Sequence, residues 1–136
     1  MLRFALTLSA VLSMMSPVLA DDRSDAQSVI GNQIDSFKAK RYGEAFSYAA
    51  PGLQLMFRDE NNFIRMVQRG YMPIYGAQSY RFGRSRADGA NTMFQEVMIT
   101  GPAGRSWVAL YTMKRSKDGS WKIAGVRLVP GNEETT

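Results

Sequence analysis

Residues 105–129 read RSWVALYTMKRSKDGSWKIAGVRLV, and this stretch decides the fold. Two apolar-rich runs, Arg105–Arg115 and Ser120–Val129, lie on either side of the dipeptide Asp118-Gly119. Asp-Gly between two such runs favours a β-hairpin, because the tight turn needs positive φ angles that these residues tolerate. The stretch therefore predicts two antiparallel strands joined by a tight turn.

Two further strands are predicted upstream, at Gln78–Arg86 and Asn91–Thr100, with turns at Asp88-Gly89 and Gly101–Gly104. Consecutive hairpins imply an antiparallel meander of four strands. Strict alternation along the first of these strands places four side chains on one face: Tyr80, Phe82, Arg84 and Arg86.

The chain before the strands has helical periodicity instead. Four apolar side chains recur on one face of a 3.6-residue period: Ala26, Ile30, Ile34 and Phe37. This spacing predicts a first helix that Asp22 or Ser24 caps and that runs to about Tyr42.

A second helix is predicted at Glu44–Ala50, where Pro51-Gly52 ends it, and Leu53–Phe57 is ambiguous between a loop and a helical turn. A third helix is predicted from a cap at Asp59 to about Arg69. The predicted fold class is α+β, with N-terminal helices packed on a curved, cone-like, four-stranded antiparallel meander.

The last two predicted strands are apolar on both faces near their middles. One face of the third strand carries Trp107, Ala109, Tyr111 and Met113. The fourth strand alternates two sets, Trp121, Ile123 and Val129 against Ala124, Val126 and Leu128. The helices can cover one face, and a second copy of the chain is the simplest cover for the other, which predicts a homodimer through the sheet. The alternative is that the helices or Leu53–Phe57 wrap around and cover both faces.

Residues 1–20 have the three-part layout of a secretory signal peptide: a positive start, an apolar run over Phe4–Met15, and a small-residue cleavage site ending at Ala20. The alternative, an uncleaved membrane anchor, is disfavoured because about 20 apolar residues are needed to span a bilayer. We expect cleavage after Ala20, a single domain at 21–130 and a flexible tail at 131–136. The mature chain is expected in the periplasm or outside the cell, with no stable membrane anchor.

Composition excludes several classes of site. The chain has no Cys and no His. It therefore cannot form disulfides, use a thiolate, or build a catalytic triad or metal site from histidine. No glycine-rich phosphate loop is present, and no cofactor or metal is expected. The net charge of +5 favours an anionic ligand or partner. Nucleic acid is not expected as a partner of an exported chain without a recognition motif.

The ending Asp118-Gly119-Ser120-Trp121-Lys122-Ile123-Ala124-Gly125, after helices and a meander, resembles the nuclear transport factor 2-like superfamily, also called cystatin-like or ketosteroid isomerase-like. More closely, the chain resembles a family of short exported bacterial proteins known as a domain of unknown function. The stretches that carry this resemblance are Ala49–Gly52, Arg69–Tyr75, Tyr80–Gly83 and Gly101–Tyr111.

The resemblance implies a fold and the place of a pocket, between the helices and the concave face of the sheet. It implies no reaction, because the superfamily includes isomerases, dehydratases, hydrolases and non-enzymatic binding modules. Its enzymes commonly use an Asp or His base with a Tyr or acid as hydrogen-bond donor.

Three residues are candidates for a catalytic role: Glu96, Asp35 and Tyr111. Glu96 shares a strand face with Phe94 and Met98, an apolar setting in which a carboxylate is unusual. The alternative interpretation of Glu96 is a charge on an edge strand that pairs with a nearby arginine. The alternative interpretation of Asp35 is a helix residue whose carboxylate faces solvent.

The candidate ligand-binding residues are Tyr71, Tyr75, Arg65, Arg69 and Trp107. The two tyrosines flank the junction of helix and sheet, where a ring can be buried while its hydroxyl meets a ligand. The two arginines are four residues apart and could hold an anion together, or simply form a solvated helix face.

Two functions follow. The favoured hypothesis is a non-enzymatic small-ligand-binding or accessory module of the bacterial envelope, because no acid–base pair stands out. The alternative is a small-molecule isomerase, dehydratase or hydrolase with Glu96 or Asp35 as base and Tyr71 or Tyr111 as hydrogen-bond donor. A third possibility is a subunit of an envelope complex that uses the sheet face for a different partner.

Overall fold

The first helix buries the apolar face that its spacing predicts. In the structure, a computed structural model that describes residues 18–132, α1 spans Ala20–Lys38. Ala26, Ile30, Ile34 and Phe37 are each at most 3% exposed, and they pack on the sheet. The predicted signal peptide is largely outside the described residues, as are residues 133–136 of the predicted tail.

The ends of α1 differ from the prediction. The helix begins at Ala20, and neither Asp22 nor Ser24 caps it, since the extended residue before the helix is Leu19 and its side chain makes no capping bond. The helix ends at Lys38 rather than near Tyr42. Lys40 has a φ of 56°, a left-handed conformation that cannot continue a right-handed helix.

The segment after α1 forms two short helices, α2 (Tyr42–Ser47) and α3 (Pro51–Phe57). Pro51 was predicted to end a helix, but it begins one, because a proline fits the first turn, where no backbone N–H donor is needed. The ambiguous residues Leu53–Phe57 are therefore helical.

Helix α4 spans Glu60–Gly70, and Asp59 caps it as predicted. The Asp59 carboxylate accepts a hydrogen bond from the backbone N–H of Asn62 at 2.9 Å. Phe63, Ile64 and Val67 form its buried side. A short helix, α5 (Met72–Tyr75), then leads to the sheet.

Replacing Asp59 with alanine is expected to lower the free energy of unfolding by about 1 kcal/mol, since an N-cap acceptor for an α4 amide is lost. Urea denaturation measures the change. Asp59→Asn is the matched control, because asparagine caps about as well as aspartate. An equal loss in both variants would assign the effect to charge rather than to capping.

The sheet is the predicted antiparallel meander, so the α+β fold class is confirmed. Within residues 18–132 the strands pair in the order β1-β2-β3-β4. Their bounds are β1 (Ser79–Ala87), β2 (Thr92–Thr100), β3 (Ser106–Arg115) and β4 (Trp121–Pro130). Gly119 in the last turn has a φ of 86°, a conformation that explains why glycine is needed there.

A bulge in β1 corrects the predicted alternation. Phe82 pairs with Val97 and Ser85 pairs with Gln95, so Gly83 and Arg84 together oppose Glu96. Two residues against one shift the side-chain alternation beyond the bulge. Tyr80 and Phe82 therefore face the helices, whereas Arg84 and Arg86 lie on the other side of the sheet. The prediction that all four share one face is wrong.

A second irregularity lies in β4. Thr112 pairs with Gly125 while Met113 pairs with Ile123, so Ala124 is an extra residue. Trp121 and Ile123 consequently share the helix-facing side with Val126 and Leu128, and Val129 is on the opposite side. The predicted division of this strand is wrong for the same reason as in β1.

The helices cover only one face of the sheet. The uncovered side, called here the outer face, has an apolar centre on the two middle strands, and Leu110 at that centre is 36% exposed. Four side chains form the centre: Phe94, Met98, Val108 and Leu110. The alternative in which helices cover both faces is wrong for the described residues. The homodimer through this face stays a prediction.

Candidate functional site

The helices and the covered face of the sheet form a half-open cavity of about 220 Å³. Its walls come from α1, α3, α4 and the last two strands. Apolar side chains dominate the wall: Phe37, Ala49, Leu53, Met56, Phe57, Phe63, Met66, Val67, Ile74, Ile123 and Val126. The cavity lies where the superfamily resemblance implies a pocket, between the helices and the sheet.

Three polar side chains interrupt the apolar wall: Gln33, Tyr71 and Tyr111. The Nε2 of Gln33 donates to the carbonyl oxygen of Ala45 at 3.0 Å, which holds the side chain of Gln33 in place and leaves Oε1 as an acceptor. The Tyr71 hydroxyl donates to the carbonyl oxygen of Val126 at 3.2 Å, so it ties α4 to β4. A few placed polar groups in an apolar wall are typical of small-molecule sites.

Tyr111 differs from the other two. It is 1% exposed, and its hydroxyl has no hydrogen-bond partner within residues 18–132, a state it shares only with the indole nitrogen of Trp121. An unsatisfied buried hydroxyl costs about 1–3 kcal/mol. Burial also raises the pKa of Tyr111, so the hydroxyl keeps its proton and can serve as a donor.

The most exposed part of the cavity wall is α3. None of its residues is buried, although Leu53, Met56 and Phe57 line the cavity. Leu55 is 80% exposed and Met56 is 63% exposed. Arg58 follows with a φ of 71°, a strained conformation for a residue other than glycine. Helix α3 is therefore the side of the cavity nearest to solvent, and Gln54 holds it to the preceding segment by donating to the carbonyl oxygen of Ala49 at 2.9 Å.

The two candidate bases do not line this cavity. Glu96 lies on the outer face, where its carboxylate accepts a hydrogen bond from Arg84 at 3.1 Å. The predicted alternative for Glu96, an ion pair with a nearby arginine, is the arrangement found. Asp35 is exposed on α1, beside Tyr80.

Tyr71 and Tyr111 are the predicted residues that the fold brings together. Tyr75 instead forms a hydrogen bond with Tyr42, their hydroxyl oxygens 2.6 Å apart. That bond lowers the pKa of Tyr75 and raises the pKa of Tyr42. Tyr75 packs on Phe37 behind the cavity wall rather than in it.

The remaining candidates lie elsewhere. Arg65 and Arg69 are exposed on α4, and Arg65 donates to the amide oxygen of Asn62 at 2.7 Å. Trp107 lies at the beginning of β3, where the guanidinium of Arg105 is over its ring. None of the three lines the cavity.

Gln33 is the polar residue of the cavity wall that the sequence analysis missed. A glutamine between the apolar positions of an amphipathic helix has the pattern of a solvated side chain, yet it is 4% exposed. The neighbouring small residue Ala45 admits it to the interior. The only sequence signal for its burial is its position three residues after Ile30, which places it beside the buried face of the helix.

In the part of the chain that the structure describes, no cluster of three acidic side chains is placed to hold a metal ion. None of the described helices is long and apolar enough to cross a membrane. No curated protein and no solved structure matches the chain. The pattern of one family matches residues 19–136, nearly all of the chain outside the predicted signal peptide. The chain therefore belongs to the family described as a domain of unknown function (DUF4864).

Proposed function

We propose that the protein is an exported, non-enzymatic module that binds a small, largely apolar ligand in the cavity between the helices and the sheet. The apolar wall of this cavity, interrupted by the side chains of Gln33, Tyr71 and Tyr111, carries this proposal. A ligand with one polar acceptor would pair with one of the polar side chains of this wall while its apolar part fills the remaining space.

The cavity volume limits the ligand. A dry apolar cavity of about 150 Å³ accommodates benzene. A cavity of about 220 Å³ therefore suits roughly six to ten non-hydrogen atoms by the same scale. The ligand class is a one-ring aromatic or short branched compound with a single carbonyl or hydroxyl group.

The placement of the acids favours binding over catalysis. A general base must come within ~3 Å of the proton that it removes, or act through one water. Glu96 is on the outer face and Asp35 is on the exposed side of α1, so neither supplies a base to the cavity. Tyr71 and Tyr111 remain as hydrogen-bonding groups without a carboxylate partner.

Export rests on the pattern of residues 1–20. The buried residues of α1 begin at Ala26, so cleavage after Ala20 would leave the whole buried face of this helix in the mature chain. The helix-on-sheet arrangement accords with membership of the nuclear transport factor 2-like superfamily, which stays a prediction.

The proposal is tested by titrating the mature protein with acetophenone, a one-ring ketone, and with ethylbenzene, its hydrocarbon counterpart. Val126→Phe is expected to weaken binding of both by more than about tenfold, because the larger ring occupies the cavity. Isothermal titration calorimetry or ligand-detected NMR measures the affinities.

Glu96→Gln is the control, because its side chain is on the opposite face of the sheet. It is expected to bind both probes as the wild type does. Failure of either probe to bind the wild type at millimolar concentration, or equal binding by Val126→Phe, would overturn the ligand-binding proposal.

A further inference from the structure

The outer face of the sheet has an ordered distribution of charge. Its apolar centre lies on the two middle strands, and its arginines lie on the two edge strands. On β1 these are Arg81, Arg84 and Arg86, paired across from Met98, Glu96 and Phe94. On β4 the arginine is Arg127, paired across from Leu110. An apolar stripe is therefore flanked by positive charge on both sides.

The outer face has little negative charge to balance these arginines. Among residues 18–132, the one carboxylate on the strands of this face, that of Glu96, is already bound to Arg84. Within residues 18–132, no carboxylate lies within ion-pair distance of Arg81, Arg86 or Arg127. The guanidinium of Arg86 lies 5.2 Å from the centre of the Phe94 ring, which leaves its charge available to a partner.

Two depressions mark the same face, of about 530 and 380 Å³. One is bordered by Arg86, Phe94 and Leu110, and the other by Arg81, Met98 and Val108. Each depression thus combines an arginine with apolar side chains. Protein interfaces have this anatomy, an apolar centre with anchoring pockets and a polar rim.

The charge pattern distinguishes among the partners that could cover the outer face. The homodimer predicted from the sequence would pack two copies through this same face and bring their arginines together, and like charges across an interface are unfavourable. The charge pattern therefore favours a different protein over a second copy. A bilayer surface would not fill two separate depressions. An acidic protein segment would pair its carboxylates with the arginines and place apolar side chains in the depressions.

We propose that the outer face docks an acidic segment of a different protein, with glutamates or aspartates interspersed among apolar residues. Four features of the outer face support this proposal: the apolar centre, the arginines at both edges, the lack of balancing acids among residues 18–132, and the two depressions. None of these features involves the cavity. This interaction is independent of the ligand-binding proposal, because the cavity is on the opposite side of the sheet.

The test uses the mature protein and a fluorescently labelled synthetic peptide of glutamate interspersed with leucine. The variant Arg81→Glu/Arg86→Glu/Arg127→Glu is expected to bind the peptide at least about tenfold more weakly than the wild type. The control variant Arg23→Glu/Arg69→Glu/Lys117→Glu has the same change in net charge at exposed positions away from the face. It is expected to lose no more than about threefold, since distant charges are screened by salt.

A second variant, Leu110→Gln, keeps the test valid if the triple variant fails to fold. It removes the exposed apolar centre and is expected to weaken peptide binding while acetophenone binding is unchanged. Equal loss in the on-face and control triple variants would overturn the proposal, because it would show only non-specific charge attraction.

Two further outcomes would also overturn it. One is binding to phosphatidylglycerol vesicles through the same arginines with no binding of the peptide, which would indicate a membrane surface. The other is a wild-type dimer in sedimentation that Leu110→Gln converts to a monomer, which would indicate a second copy of the chain.

Discussion

Replacing Gln95 with leucine is expected to lower the free energy of unfolding by about 3 kcal/mol, although the two side chains are similar in size. Gln95 is 1% exposed on β2, under α1. Its Nε2 donates to the carbonyl oxygens of Gly83, Arg84 and Glu96, at 3.3, 3.3 and 2.8 Å. Its Oε1 accepts from the Ser85 hydroxyl and from Nε2 of Gln27.

The loss is large because only one side of each hydrogen bond is removed. Leucine leaves the carbonyls of Gly83 and Arg84 without the donor that replaces ladder pairing at the bulge. Leaving a buried polar group unsatisfied costs more than the net gain of an ordinary hydrogen bond. Several such groups lie together here, so the effect exceeds that of a single deletion.

The matched control is Gln27→Ala, which removes only the bond between α1 and Gln95. We expect that control to lose about 1 kcal/mol. Guanidinium denaturation of both variants gives the comparison. A loss for Gln95→Leu no larger than for Gln27→Ala would show that the bulge is maintained by pairing elsewhere in the sheet, and the bonds of Gln95 would then be incidental.

The same bulge shows why the fold was predictable and its faces were not. Hydrophobic periodicity and the Asp118-Gly119 turn were enough to predict α1, α4, the four strands and the meander, but not α3 and α5. The faces depend on an exact count of residues, and one extra residue reverses every side chain beyond it. Gly83 and Ala124 are the signals of the two bulges, but a single small residue in a strand is a weak signal.

The candidate site was predictable only in part. Tyr71 and Tyr111 have sequence signals, since one lies at the junction of helix and sheet and the other on an apolar strand face. Gln33 reaches the cavity through a tertiary contact with Ala45, which no local pattern contains. Glu96 was singled out for its apolar neighbours, but those neighbours form the outer face rather than the core.

The two tyrosines of the cavity are expected to respond to the same substitution with opposite signs. Tyr111→Phe should leave the ligand-free protein as stable as the wild type or more stable by about 1 kcal/mol, because it removes a buried hydroxyl with no partner in residues 18–132. Tyr71→Phe should lose about 1 kcal/mol, since its hydroxyl donates to the carbonyl of Val126. Urea denaturation after removal of bound small molecules measures both.

Ligand affinity tests whether the hydroxyl of Tyr111 meets a ligand in the cavity. If the hydroxyl of Tyr111 donates to the ligand, Tyr111→Phe will weaken acetophenone binding about tenfold, the effect of one lost hydrogen bond of about 1.4 kcal/mol. Ethylbenzene has no acceptor, so its affinity should be unchanged. A Tyr111→Phe protein that is less stable and binds both probes normally would mean that the hydroxyl is satisfied within the protein. The cavity would then recognise its ligand by shape, with Gln33 and Tyr71 as its polar groups.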